Sequence, residues 1–158
     1  MNWDELKNQV KNYNTILVSG PQRSGTTYAG DQLAKDLGYR YVDELVYSVS
    51  ITPNFIKQLT LDNKNVVIQC PAQSHYLHNI EGDHIIVIWM KRNHQDIFKS
   101  EDRINWHPAN SIYEFNKYKN TFPEELGRIE EFERSSLMKE WFWDNIQNDT
   151  ITDENLWF

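Results

Sequence analysis

A loop near the start of the chain combines glycines, hydroxyl groups and one cation at close spacing. Gly20 and Gly25 lie five positions apart, and Thr26 and Thr27 follow directly. Glycines let the backbone approach a ligand closely, and the amide groups of such a loop point at an anion together with the N-terminus of the next helix. The pattern therefore predicts binding of a phosphate or sulfate group.

The loop lacks the lysine with which nucleoside triphosphatases reach the β and γ phosphates, because Thr26 stands at that position. The cation lies inside the loop instead, at Arg23, whose guanidinium can bind an anion through two parallel hydrogen bonds. Two later apolar runs lead into Cys70 and Lys91 rather than into the aspartate that holds Mg²⁺ in those enzymes. Neither triphosphate hydrolysis nor a metal site is expected.

Alternating strand and helix patterns position this loop. The apolar run at residues 15–19 predicts a buried strand before it, and the periodicity of residues 28–37 predicts a helix after it, ended by Gly38. Further predicted strands cover residues 39–42, 66–69 and 84–90. Further predicted helices cover residues 4–10, 54–61 and 74–80. This alternation implies right-handed crossovers, so we expect a three-layer α/β fold with helices flanking a central parallel sheet of about four to five strands.

The loop resembles the 5'-phosphosulfate loop of sulfotransferases that use 3'-phosphoadenosine 5'-phosphosulfate (PAPS), a family with the P-loop fold. The family pattern Pro-x-Lys/Arg-Ser/Thr-Gly-Thr-Thr is matched by residues 21–27, and Gly20 with the Pro-Gln pair is most similar to the glycosaminoglycan and carbohydrate branch. The resemblance implies a catalytic, charge-stabilising role for Arg23. It also implies that the donor is bound by Gln22, Arg23, Ser24, Gly25, Thr26 and Thr27.

A second family element is an arginine at the end of a later strand, followed in the next helix by a serine, and both bind the 3'-phosphate of PAPS. Arg92 and Ser100 have the required spacing of eight. Asn93 and Asp96 can cap the helix that presents Ser100, which makes Asp96 a capping residue rather than a catalyst.

The transfer also needs a base near the acceptor, and the resemblance implies a glutamate just after the second strand. Glu44 has that position, Asp43 is its neighbour, and His75 is the other candidate base. The competing interpretation of Glu44 and Asp43 is that they are solvated carboxylates. The competing interpretation of His75 is that it has a structural role. Gln69 stands where many family members have lysine.

The region from Thr121 onward has a helical pattern. It starts with a capping box and a proline in the first turn. Apolar residues then recur at helical spacing, at Leu126, Ile129, Phe132, Leu137, Trp141 and Ile146. We expect one long helix packed on the sheet. The apolar tail at residues 149–158 is expected to form an edge strand or a docked segment.

Length, net charge and cysteine content limit the kinds of partner and the location expected for the protein. A chain of 158 residues with 39% hydrophobic content is expected to form a single sulfotransferase-like domain over residues 1–158. The net charge of -7 argues against nucleic acid and anionic membranes as partners. An anion must therefore meet a local basic cluster, for which Lys91, Arg92, Lys99 and Arg103 are candidates. The single Cys70 cannot form an internal disulfide, and the absence of a long apolar stretch favours a cytoplasmic location.

Together these features predict a PAPS-dependent sulfotransferase that releases adenosine 3',5'-bisphosphate (PAP) and uses no metal. Its acceptor would be a hydroxyl or amine of a small molecule or carbohydrate, and the chain could act as a homo-oligomer. Two alternatives remain open. One is a P-loop nucleoside or nucleotide kinase, and the other is a non-catalytic module that binds PAP or another anion and acts through partners. The chain is short for the sulfotransferase family, so acceptor recognition would be reduced or supplied by another chain.

Overall fold

The computed structural model describes residues 2–43, 53–61, 64–73, 77, 80, 82–105 and 129–134. The helices in this part of the chain are α1 (Trp3–Val10), α2 (Thr26–Leu37), α3 (Pro53–Leu61) and α4 (His94–Ile104). The strands are β1 (Thr15–Ser19), β2 (Arg40–Val42), β3 (Val66–Gln69), β4 (Ile85–Lys91) and β5 (Ile129–Glu133). No helix in the described ranges has both the length and the hydropathy that crossing a membrane requires.

The strands form a parallel sheet with β1 at its centre. Within the described residues, five strands pair in the order β2-β3-β1-β4-β5, and each neighbouring pair is parallel. All residues of β1 and β3 are buried, which matches their nearly unbroken apolar sequence. The predicted three-layer α/β fold with a central parallel sheet is therefore confirmed.

Two apolar layers join the helices to the sheet. The first layer packs α1 and α2 on one face and includes Leu6, Leu33 and Ile88. The second packs α3 on the opposite face and includes Ile56 and Val87. Consecutive residues of β4 thus enter opposite layers, as the two-residue repeat of a strand requires. Because both faces of the sheet are covered by helices, the polar edge at the carboxyl ends of the strands is where ligands can approach.

Strand β5 contradicts the long helix predicted from Thr121. Residues 129–133 pair in parallel with residues 87–91 of β4, although Ile129 and Phe132 have a helical spacing. The edge of β4 presents backbone N–H and C=O groups that need partners, and satisfying them outweighs a local preference for helix. The residues of the predicted helix before 129 and after 134 lie outside the described residues, as do the tail and most of the helix predicted at residues 74–80.

Side chains on both faces of β5 stabilise its position beside β4. Phe132 is 1% exposed and meets Trp3 of α1 edge to face, with 5.6 Å between the ring centroids. At the end of β4, Lys91 forms ion pairs with Glu131 at 3.1 Å and with Glu133 at 3.5 Å. Lys91 therefore binds the neighbouring strand, which removes it from the basic cluster predicted beside Arg92.

The packing of β5 can be tested by truncating its buried aromatic residue. Phe132→Ala is expected to lower the free energy of unfolding by about 3 to 5 kcal/mol, because it leaves a cavity between β5 and α1. Leu61→Ala, at a side chain that is 74% exposed, is the matched control and should change stability by less than about 0.5 kcal/mol. Urea unfolding followed by circular dichroism gives both values, and equal losses in the two variants would contradict the position of β5.

Candidate functional site

The loop between β1 and α2 is held against the sheet by two glycines with positive φ. Gly20 has φ 136° and Gly25 has φ 92°. A Cβ on Gly20 would lie 2.6 Å from the carbonyl oxygen of Met90 in β4, so a larger residue does not fit there. Gly25 is the N-cap of α2 and has no side chain that could cap the first amides of the helix. These amides stand at the loop, in the arrangement that binds anions in other proteins.

Arg23 lies at the turn of this loop, with a φ of 67° that is uncommon for a residue with a side chain. Its Nε donates a hydrogen bond of 2.8 Å to Oγ of Ser100 in α4. Its carbonyl oxygen accepts a hydrogen bond of 2.7 Å from Nη1 of Arg92. The two bonds hold a backbone conformation that costs energy, as is common where a ligand is bound. Three residues that the sequence singled out in separate segments therefore lie together.

Arg92 and Ser100 reach the loop because α4 begins directly after β4. Oδ1 of Asn93 accepts a hydrogen bond of 2.8 Å from the amide of Gln95 and so caps the helix. Ser100, which is 1% exposed, then faces the loop. Burial and the charge of Arg134 lower the pKa of Arg92. The charge of Asp96, in the first turn of α4, partly opposes this lowering. Asn93 is thus the capping side chain, and Asp96 is an acidic neighbour of the arginine.

A third arginine, which the sequence analysis did not identify, also lies against the loop. Arg134 follows β5 directly and is 7% exposed. A Cβ on Gly25 would lie 3.1 Å from Cγ of Arg134, so the stem of the arginine packs against the loop where the glycine leaves room. The signal that could have identified Arg134 is its place at the end of a strand, and that place is visible only once β5 is known to be a strand.

Burial lowers the pKa of all three guanidinium groups, and the charge of another arginine adds to this effect at each of them. Burial, followed by the charges of Arg134 and Arg23, lowers the pKa of Arg92 to about 10. Burial likewise lowers the pKa of Arg134 to about 10, with Tyr28 opposing this effect and Arg23 adding to it. The pKa of Arg23 is lowered too, first by burial, with Tyr28 acting against it and Arg103 in the same direction. All three groups stay charged at neutral pH, so the folded protein keeps like charges close together.

Hydroxyl groups line the loop and are tied to its surroundings. Nε2 of Gln69 in β3 donates to Oγ1 of Thr26 at 3.0 Å and to Oγ1 of Thr27 at 3.4 Å. Oγ of Ser24 donates to the carbonyl oxygen of Pro21, which closes the loop on itself. Gln22 is half-buried in the same loop. The predicted donor-binding residues of the loop are thus gathered at the carboxyl ends of β1 and β3.

The candidate bases are only partly within the described residues. Asp43 follows β2 at the same edge of the sheet and is 7% exposed, which excludes the solvated carboxylate considered for it. Glu44 and His75 lie outside the described residues, and their role as the base stays a prediction. Within the described ranges, His, Cys, Asp and Glu side chains form no group of three or more that could hold a metal ion.

Comparison with known proteins identifies the fold. The chain matches a shikimate kinase from Acinetobacter baumannii, solved with shikimate, with a TM-score of 0.52 and 13% identity over 92% of this chain and 99% of that chain. It also matches the YorR protein from Bacillus subtilis, solved with phosphorylated GDP, with a TM-score of 0.54 and 14% identity over 87% of this chain and 99% of that chain. No protein-family model and no curated protein matches the chain. The protein therefore has a three-layer α/β P-loop fold.

Proposed function

We propose that this protein transfers a sulfuryl group from PAPS to a hydroxyl or amine acceptor. The observation that supports this proposal is the direct hydrogen bonding of Arg23 with Arg92 and with Ser100. PAPS carries a phosphosulfate on its 5' oxygen and a phosphate on its 3' oxygen, so its site needs cations for two anionic groups on one nucleoside. The loop arginine and the arginine at the end of β4 meet that need at neighbouring positions.

The chemistry requires little covalent help from the protein. The acceptor oxygen or nitrogen forms a bond to sulfur in line with the S–O bond that breaks, and PAP leaves with the electron pair of that bond. Arg23 and the loop amides would stabilise the negative charge on the transferred group and on the leaving phosphate. The acceptor proton passes to a base, for which Glu44 and His75 are the candidates.

The exposure and charge of the three arginines favour an anionic ligand, since Arg134 is buried and Arg23 and Arg92 are half-buried. Burial, with a smaller contribution from the charge of Arg23, lowers the pKa of Arg134 to about 10. This shift lowers the stability of the folded protein at every pH below about 10, and the effect fades as the pH rises above that value. A bound phosphate or sulfate would add a favourable interaction with the charged guanidinium groups at neutral pH.

A P-loop kinase is the second candidate, and the fold shared with the solved shikimate kinase favours it. An enzyme of that class would bind Mg²⁺-ATP at the same loop. Thr26 argues against this function, because the lysine that reaches the β and γ phosphates is missing there. The side chains of the loop thus favour sulfuryl transfer, whereas the fold alone is compatible with both functions.

The choice between the two candidates can be tested by ligand stabilisation. We expect PAP to raise the melting temperature more than Mg²⁺-ATP or AMP does. A ligand at about 100 times its dissociation constant adds about 2.7 kcal/mol, which corresponds to a shift of a few degrees. Selective stabilisation by Mg²⁺-ATP would contradict the proposal and favour a kinase. Transfer of labelled sulfate to trial acceptors then separates an enzyme from a module that only binds PAP.

The arginine at the end of β4 can be tested with a matched variant of equal charge. Arg92→Ala is expected to weaken PAP binding by about 10 to 100-fold, because it removes a charge-assisted hydrogen bond to the ligand. Arg40→Ala removes the same charge from an exposed residue at the opposite end of the sheet and should leave the affinity unchanged. Calorimetric titration of both variants measures this difference, and an unchanged affinity in Arg92→Ala would count against the assigned site.

Arg134 can be tested with a variant that keeps its apolar stem. Arg134→Met retains the packing of the stem against Gly25 and removes the charge, so it should bind PAP about 10 to 100-fold more weakly. Calorimetric titration with PAP measures this loss, and urea unfolding without ligand shows whether the variant stays folded. Wild-type affinity in Arg134→Met would show that Arg134 has a purely structural role.

A further inference from the structure

The end of β3 approaches the loop through Gln69, a residue that the proposed chemistry leaves unused. Its side chain is 4% exposed and lies against Gly30 of α2, where an added Cβ would come within 3.4 Å of the glutamine Cβ. From this position its Nε2 donates to Oγ1 of Thr26 at 3.0 Å and to Oγ1 of Thr27 at 3.4 Å. A single amide thus contacts both hydroxyl groups that follow Gly25.

The direction of these hydrogen bonds decides what the two hydroxyls can do. A threonine hydroxyl has one hydrogen to donate and two lone pairs with which to accept. Because Gln69 donates to both oxygens, each hydroxyl uses a lone pair toward β3 and keeps its own hydrogen for another acceptor. Thr26 lies in the first turn of α2, beside the anion-binding amides. Its hydrogen can therefore be donated to the same anion as those amides.

Nucleoside triphosphatases with a P-loop use the opposite arrangement. There a hydroxyl at the end of the loop ligates Mg²⁺, and an aspartate at the end of a neighbouring strand also holds the metal. In this protein the strand-end residue that contacts the hydroxyls is an amide, which carries no charge and turns N–H groups toward them. An N–H donor repels a cation that would bind the same oxygen atoms.

We infer that Gln69 determines that this site binds its anionic ligand without Mg²⁺. By donating to Thr26 and Thr27, it makes their hydroxyls donors to the anion and excludes Mg²⁺ from the loop. The inference rests on the proposed function, since it assigns the anion of the donor nucleotide to these hydroxyls. It adds a specificity-determining residue that lies on β3, away from the three arginines.

The test compares PAP binding with excess Mg²⁺ and with EDTA, by calorimetric titration of the full chain. The wild-type protein should bind PAP equally in both conditions. Gln69→Glu is nearly isosteric but accepts hydrogen bonds and adds a negative charge. It should lose about 10 to 100-fold in affinity in EDTA, a loss that Mg²⁺ largely reverses. Gln69→Ala, which removes the donor without adding charge, is the matched control and should bind more weakly with no rescue by Mg²⁺.

The outcomes separate this inference from the proposed function. Wild-type binding of PAP that tightens with Mg²⁺, or a Gln69→Glu variant that matches the wild type in EDTA, would overturn the role of Gln69 and leave PAP as the ligand. Absence of PAP binding in both conditions would overturn the proposed function, and with it the anion assigned to the hydroxyls. If Gln69→Glu does not fold, the wild-type titrations can still overturn the inference, and wild-type affinity in Gln69→Ala would overturn it as well.

Discussion

The contacts of three arginines, Arg23, Arg92 and Arg134, at the loop after β1 are the constraint on which this edge of the structure depends. Like charges that are partly removed from water raise the free energy of the folded protein, so the surrounding elements must hold them in place. Each group comes from a different segment, and the parallel order β1-β4-β5 brings the three segments to one edge of the sheet. The apolar layers on both faces of the sheet stabilise this edge, and an anionic ligand would offset the repulsion that remains.

Direct contacts hold the loop against the sheet and against α4. Gly20 brings the loop backbone against β4, and the guanidinium of Arg92 binds the carbonyl oxygen of Arg23 from the end of that same strand. Ser100 then holds the side chain of Arg23 from α4. Because these contacts join groups of the protein itself, they restrain the loop, and a restrained loop lowers the entropy that binding must overcome.

The fold and the side chains of the site carry different information. The likeness to the solved shikimate kinase at 13% identity and to the YorR protein at 14% identity shows how the chain is arranged in space. What such a loop can bind depends on a few positions within it. Thr26 replaces the lysine of the triphosphatases, Arg23 places a cation inside the loop, and Gln69 offers an amide where a carboxylate would hold a metal. These changes favour an anion that arrives without Mg²⁺.

The sequence by itself determined the order of strand, loop and helix around Gly20 and Gly25, and the spacing of Arg92 and Ser100, because apolar runs, glycines and helix caps act between near neighbours in the chain. Only the tertiary structure decided that residues 129–133 form a strand, since the backbone groups that need partners belong to β4, far away in sequence. The place of Arg134 depends on the same pairing, and the contacts of Gln69 depend on another long-range pairing, that of β3 with β1. Local periodicity carries no information about which edge of a sheet requires a partner.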